Sequence, residues 1–228
     1  MGPRRLYVPV TELYIRSHHH ARGEMPRGFT DQERSHIRRR LLTAGRAQFS
    51  RYGLRASVDA LARAAGIAKG SFYLFFDSKE ALFFATLLEV EEELRQGLLR
   101  RLDRPFASPT ELIEHLLYTQ MEMLDNHPLL AVLNDPETAV ALLRVIPPEA
   151  LKEARKSDDR FLRSLLAARL QPGSALLQPR SRRLLSSLPR ALYAMRLQQA
   201  IIGDDVLPLR KLLIQSAAAT LGSGARLR

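Results

Sequence analysis

The chain has 228 residues, 46% of them hydrophobic, enough to build a packed core and too much for wholesale disorder. Lys and Arg number 35 against 24 Asp and Glu, a formal net charge of +11 that draws the chain to polyanions, whether nucleic acid or an anionic membrane surface. Cysteine is absent, which excludes a disulfide framework, a thiolate zinc site and a Cys nucleophile. No apolar run approaches the roughly 20 residues that span a bilayer, and the N-terminus lacks a hydrophobic signal core, so the reading is a cytoplasmic protein with no membrane partner.

Residues 1–29 mix Gly, Pro, Arg and scattered aromatics without a sustained period and read as a poorly ordered arm. His18, His19 and His20 have no second cluster at helical spacing and read as a solvated polar run, not a metal site, while Met25 offers an alternative start. Thr30 and Glu33 form a capping box, opening a helix that carries Ile37, Leu41, Leu42, Ala44, Gly45 and Phe49 at helical spacing and ends at Tyr52-Gly53. Ser57 caps a second helix with a small apolar face of Ala60, Leu61, Ala64 and Ala65; Gly66 can take the left-handed conformation that ends it, and Ile67 plugs the corner. A third helix starts near Ala68. Ser78 caps a fourth, whose stripe of Leu82, Phe83, Leu87, Leu88, Leu94 and Leu98 runs to about Arg101. Beyond Pro105 the run Ser108-Pro109-Thr110-Glu111 repeats the cap logic and opens a helix through Leu112, Leu116, Tyr118 and Met123, which His127-Pro128 breaks. Further helices are expected over 129–133, 136–145 and 148–170, then a loop over 171–179, and last helices over 181–202, kinked at Pro189, and 206–221. No segment alternates as a strand does, so the expected fold class is all-α.

The stretch Asp59 to Leu82, DALARAAGIAKGSFYLFFDSKEAL, is two short helices joined by a Gly turn and followed at once by a third, the grammar of a helix-turn-helix DNA reader. The opening turn of its second helix carries Lys69, Gly70 and Ser71: a cation, a residue without a side chain and a short hydroxyl, which let backbone approach a phosphate closely. Arg55 could add charge near the DNA backbone, whereas the run Arg38, Arg39 and Arg40 reads more as a solvated helix surface. Phe72, Phe75 and Phe76 read as packing of a three-helix head, and Leu74 can offer a base edge only an apolar contact.

With LLTAGRAQFSRYGLRASV ahead of it and AGIAKGSFYLFFDSKEAL within it, this region resembles the tetracycline-repressor (TetR) family of bacterial helix-turn-helix transcriptional regulators, over about Asp31 to Leu88. The resemblance implies a three-helix DNA-binding head at residues 30–77 and, over 78–228, a helical domain for effector binding and dimerisation. It implies that Ser57 caps the second helix and donates to a phosphate, that Lys69, Gly70 and Ser71 form the tip entering the major groove, and that Tyr73 and Lys79 contact phosphates. Each has an independent warrant as a hydrogen-bond donor, Gly70 through its backbone. Phe75 departs from the pattern, since many relatives carry Tyr or His there.

A head of this size contacts few bases, so useful specificity implies two heads about one helical turn apart on a palindromic operator in double-stranded DNA, hence a homodimer. Leu184, Leu185, Leu188, Leu192, Met195 and Ile202, then Leu209, Leu212, Leu213, Ser216 and Thr220, offer faces for a four-helix interface or for packing within one subunit. For a small, mainly apolar effector the candidate lining is Phe84, Leu88, His115, Tyr118, Met121, Met123, Leu124, Arg144, Tyr193 and Met195, with His115 and Arg144 as the cationic anchors. No metal site or cofactor is expected. An enzyme is disfavoured because G-x-S-x-G, a phosphate loop and H-E-x-x-H are all missing. A basic helical protein that binds nucleic acid or anionic membrane without sequence preference is the stronger rival, although Glu89 and Glu91 to Glu93 oppose the basic residues of their own helix.

Overall fold

The computed structural model describes residues 29–227. Residues 1–28 of the N-terminal arm, with His18, His19, His20 and Met25, lie outside them. Among the described residues the chain is helical without a strand. In order it forms α1 (Asp31–Tyr52), α2 (Val58–Ala64), α3 (Lys69–Phe72), α4 (Lys79–Arg101), α5 (Pro109–Asp125), α6 (Pro128–Ala131), α7 (Pro136–Val145), α8 (Pro148–Ala167), α9 (Pro179–Leu197), α10 (Gln199–Ile202) and α11 (Val206–Gly222).

The starts follow local capping chemistry. Thr30 Oγ1 accepts the Glu33 N–H at 3.2 Å while a Glu33 carboxylate oxygen accepts the Thr30 N–H at 2.8 Å, so two orphan donors of α1 are satisfied reciprocally. The Thr30 amide and hydroxyl hold the Glu33 carboxyl below its ordinary value. Ser57, Ser78 and Ser108 each accept the N–H three residues on, at 3.1 Å. Asp135 does the same for Thr138 and so opens α7. Three stretches differ from expectation. The helix expected over 129–133 ends at Ala131 and gives way to the 3-10 turn Val132–Asn134. The single helix expected over 181–202 is interrupted at Gln198 (φ −97°, ψ 17°), leaving α9, which contains Pro189, and a separate turn, α10. The expected 171–179 loop contains a short 3-10 turn, Ala175–Leu177, and is tied to the C-terminal segment by Gln171 N–H donating to Arg226 C=O at 2.9 Å.

The chain packs as two compact units, neither continuous in sequence: residues up to Glu92 with Pro128–Glu153, and Glu93–His127 with residues from Ala154 onward. Segment order alone does not announce this grouping, which joins α6 and α7 to the head. In the first unit Leu41, Phe49, Leu61, Phe72, Leu82 and Phe83 are fully buried, with the Phe49 and Phe83 rings edge-on at 4.9 Å. In the second, α5 packs against α9 and α11 over a core that includes Leu102, Leu112, Ile113, Leu116, Leu117 and Leu166. Where the end of α11 meets the start of α5, a Cβ on Gly222 would lie 2.9 Å from both the backbone N and Cα of Thr110.

Candidate nucleic-acid interface

The head presents a helix-turn-helix as the sequence pattern predicts. Helix α2 closes on Gly66, which takes φ +67°, and Ile67 N–H reaches back to the Ala62 carbonyl at 3.0 Å. Helix α3 then starts after Ala68 without a side-chain cap. Phe72, fully buried, and Phe76, 4% exposed, anchor its inner side. Phe75 is half-buried with its ring 5.9 Å from that of Phe29, so the residue that departs from the family pattern serves packing.

Opposite that anchor the candidate residues lie open. Lys69 and Gly70 are exposed, Ser71 is half-buried, and Tyr73 is 44% exposed with its ring edge-on to Phe72. Gly70 is the most telling: a Cβ placed there would meet nothing within 4 Å. A glycine in a helix costs up to about 1 kcal/mol relative to alanine, and here no neighbour within the protein requires it.

Three other candidates carry intramolecular work. Ser57 is exposed and accepts the Ala60 N–H as a cap, leaving its own O–H to donate. Lys79 is half-buried and its ammonium donates to the Leu54 carbonyl, tying the start of α4 to the 3-10 turn Gly53–Arg55. Arg55 is exposed and faces Asp135, whose carboxyl is held below its ordinary value first by the Thr138 hydroxyl and also by the Arg55 charge. Arg55 and Asp135 also line an open cavity of about 580 Å³ in the first unit, between residues 50–55, Glu80 and the α6–α7 segment. Sequence reasoning missed this cavity because its walls lie about 80 residues apart in the chain.

The candidate effector lining divides between the units. In the first, Phe84 and Leu88 are buried against Ile146 and Ala150, while Arg144 is exposed. In the second, Met121 belongs to the core, with Met123, Leu124 and Met195 packed against it. The His115 ring lies 5.8 Å from that of Phe106. Tyr118 is 37% exposed. Tyr193 is half-buried, and burial pushes its phenol above the ordinary value.

The second unit also holds a buried charge cluster that the sequence pattern did not reveal. Arg210 is 4% exposed; its guanidinium stands 2.8 Å from one oxygen of Asp125, whose other oxygen is 3.2 Å from Arg196. Val206, Arg210, Ile214, Ala218 and Gly222, each four residues after the last, form the buried face of α11, while Leu207, Leu209, Leu212 and Leu213 are exposed. Of the faces expected to meet a second subunit, Leu185 and Leu192 are instead core residues, and Leu184, Leu209, Leu212, Leu213, Ser216 and Thr220 remain outward.

Residues 41–86 match the family model described as bacterial regulatory proteins, tetR family. Similar solved structures cover nearly their whole lengths. A TetR-family transcriptional regulator from Pectobacterium atrosepticum is 21% identical, with 88% of this chain and 99% of that one aligned at a TM-score of 0.58. The multidrug binding protein EbrR, complexed with imidazole, is 21% identical over 87% and 97%, at 0.56. RolR, complexed with resorcinol, is 18% identical over 85% and 96%, at 0.52. At these identities the structures establish a shared fold.

Proposed function

By its helix-turn-helix head the chain belongs to the tetR family of bacterial regulatory proteins, and we propose that it acts as a homodimeric repressor released from a palindromic operator by a small-molecule effector. It is a DNA-binding transcriptional regulator and not an enzyme. The observation that carries the DNA-contact assignment is Gly70, a helical glycine with open space above it beside exposed Lys69 and Tyr73. Its missing side chain has no use inside the protein and a direct one against a duplex, where the backbone can close on a phosphate or base edge. Ser57 and Ser71 add short hydroxyl donors, Lys69 and Arg55 add charge, and Lys79 keeps two ammonium protons beyond the one it gives Leu54.

Dimerisation is supported by the inversion of α11, which turns Arg210 inward and Leu207, Leu209, Leu212 and Leu213 outward, with Leu184 of α9 also 54% exposed. Leucines on that scale are an expensive surface for a monomer. Leu212→Glu is therefore expected to shift sedimentation from dimer to monomer while leaving helicity intact; a dimer that survives it places the interface elsewhere.

The effector is a small, mainly apolar molecule, for which His115, Tyr118, Met121, Met123, Leu124, Tyr193 and Met195 are the second-unit candidates. The small ring compounds bound by EbrR and RolR, imidazole and resorcinol, support the small size of the effector. By linkage, an effector that prefers the DNA-incompetent arrangement weakens operator binding by the same coupling energy. Selection of bound sequences from a random duplex pool at near-physiological salt tests the reading. Recovery of a palindrome is the expected outcome, and it supplies the operator for effector screening; enrichment without a motif would leave only polyanion affinity and defeat the operator model.

A further inference from the structure

The run Arg38-Arg39-Arg40 looks uniform in sequence, yet the fold gives its three side chains different fates. Arg38 is half-buried, with its guanidinium carbon 4.5 Å from the centroid of the Phe76 ring, a cation held by the core of the head. Arg39 is exposed. Arg40 is exposed too, but its guanidinium lies on the helix-turn-helix turn itself: a Cβ on Gly66 would stand 2.9 Å from Arg40 Cζ and 3.1 Å from Nη1. Gly66 is constrained by its φ of +67°, and the end of the flexible Arg40 side chain lies over it. Among the described residues no hydrogen bond or ion pair takes up the Arg40 donors.

We propose that Arg40 is a DNA-backbone clamp, a guanidinium seated on Gly66 that donates in two-pronged fashion to a phosphate beside the site read by α3. The proposal rests on the reading of this head as DNA-binding. The chemistry is that of a planar fork with five N–H donors matched to a phosphodiester's paired oxygens. The position matters because a long side chain loses rotamer freedom when it binds, and one that already rests beside its bound position has less to lose. Arg39 has the same charge with no such seat, and charge alone therefore does not decide which arginine of the run engages. A phosphate contact carries no sequence information, so Arg40 sets affinity and register while α3 sets the sequence read.

The test uses the full-length protein, a palindromic duplex recovered from the random pool and a scrambled duplex of equal length, with affinity followed by fluorescence anisotropy from 50 to 200 mM salt. Arg40→Gln is expected to weaken both duplexes by the same factor, roughly tenfold, and to flatten the slope of log affinity against log salt by about 0.9 per head, with unchanged thermal unfolding. Arg39→Gln should move the slope by less than half as much. Arg40→Lys keeps the charge and the slope but loses the fork, for a loss of about threefold in affinity. A wild-type slope in Arg40→Gln, equal slopes in Arg39→Gln and Arg40→Gln, or wild-type affinity in Arg40→Lys would each overturn the clamp while leaving the DNA reading in place. Failure of the wild type to bind either duplex would overturn both.

Discussion

Gly70 in α3 and Gly222 at the end of α11 are both helical glycines, and they are glycines for opposite reasons. At Gly222 the explanation lies inside the protein: the Thr110 backbone occupies the space a side chain would need, and the absence of a Cβ lets α5 and α11 cross closely. At Gly70 the space is empty, so the protein bears a helix-propensity cost that its own packing does not offset. Nearby side chains follow the same division. In the second unit even a charged residue, Arg210, is buried and matched to Asp125, whereas around α3 Lys69 and Tyr73 are left at the surface. One region is shaped by its own interior; the other leaves its glycine and its polar side chains open to solvent.

The largest test of that contrast is at the buried charges. Asp125→Asn would leave the Arg210 guanidinium, 5% exposed in its side chain, without its counter-charge, and is expected to cost about 3 kcal/mol in urea unfolding. A loss well under 1 kcal/mol would mean that water reaches the pair and that the second unit is not so closely determined. Gly222→Ala comes next, at about 1–3 kcal/mol from overpacking against Thr110, with DNA affinity per folded molecule unchanged. Gly70→Ala should reverse both signs, raising stability by up to about 1 kcal/mol while weakening operator binding in a filter or anisotropy assay; an alanine that binds as well as glycine would remove the need for close approach. The smallest effect belongs to Lys69→Ala, expected to lower the salt slope by about 0.9 per head with little change in stability. An unaltered slope would take Lys69 off the phosphate.

Much of the head was legible because its signals are local. The capping box of Thr30 and Glu33, the Ser57, Ser78 and Ser108 caps and the positive φ of Gly66 are settled by groups within about four residues of one another, and each formed as the sequence indicates. The aromatic run after Gly70 was readable too, since two of its three Phe residues fall on the inner side of a short amphipathic turn. Lys79 was less transparent. Its position at the start of α4 suggested a phosphate, but nothing in the adjacent residues foretold the Leu54 carbonyl that its ammonium meets 25 residues back.

The sequence by itself determined the all-helical class, the positions of the helix starts and the helix-turn-helix, because hydrogen-bonding caps, glycine turns and apolar spacing act between near neighbours along the chain. Tertiary structure alone decided which faces were used. It turned Arg210 in and left Leu207, Leu209, Leu212 and Leu213 out on α11, gave three consecutive arginines three different surroundings, and joined α6 and α7 to the head across a gap in the sequence. Burial is fixed by which distant segment arrives to cover a side chain, and that information belongs to the packed chain as a whole.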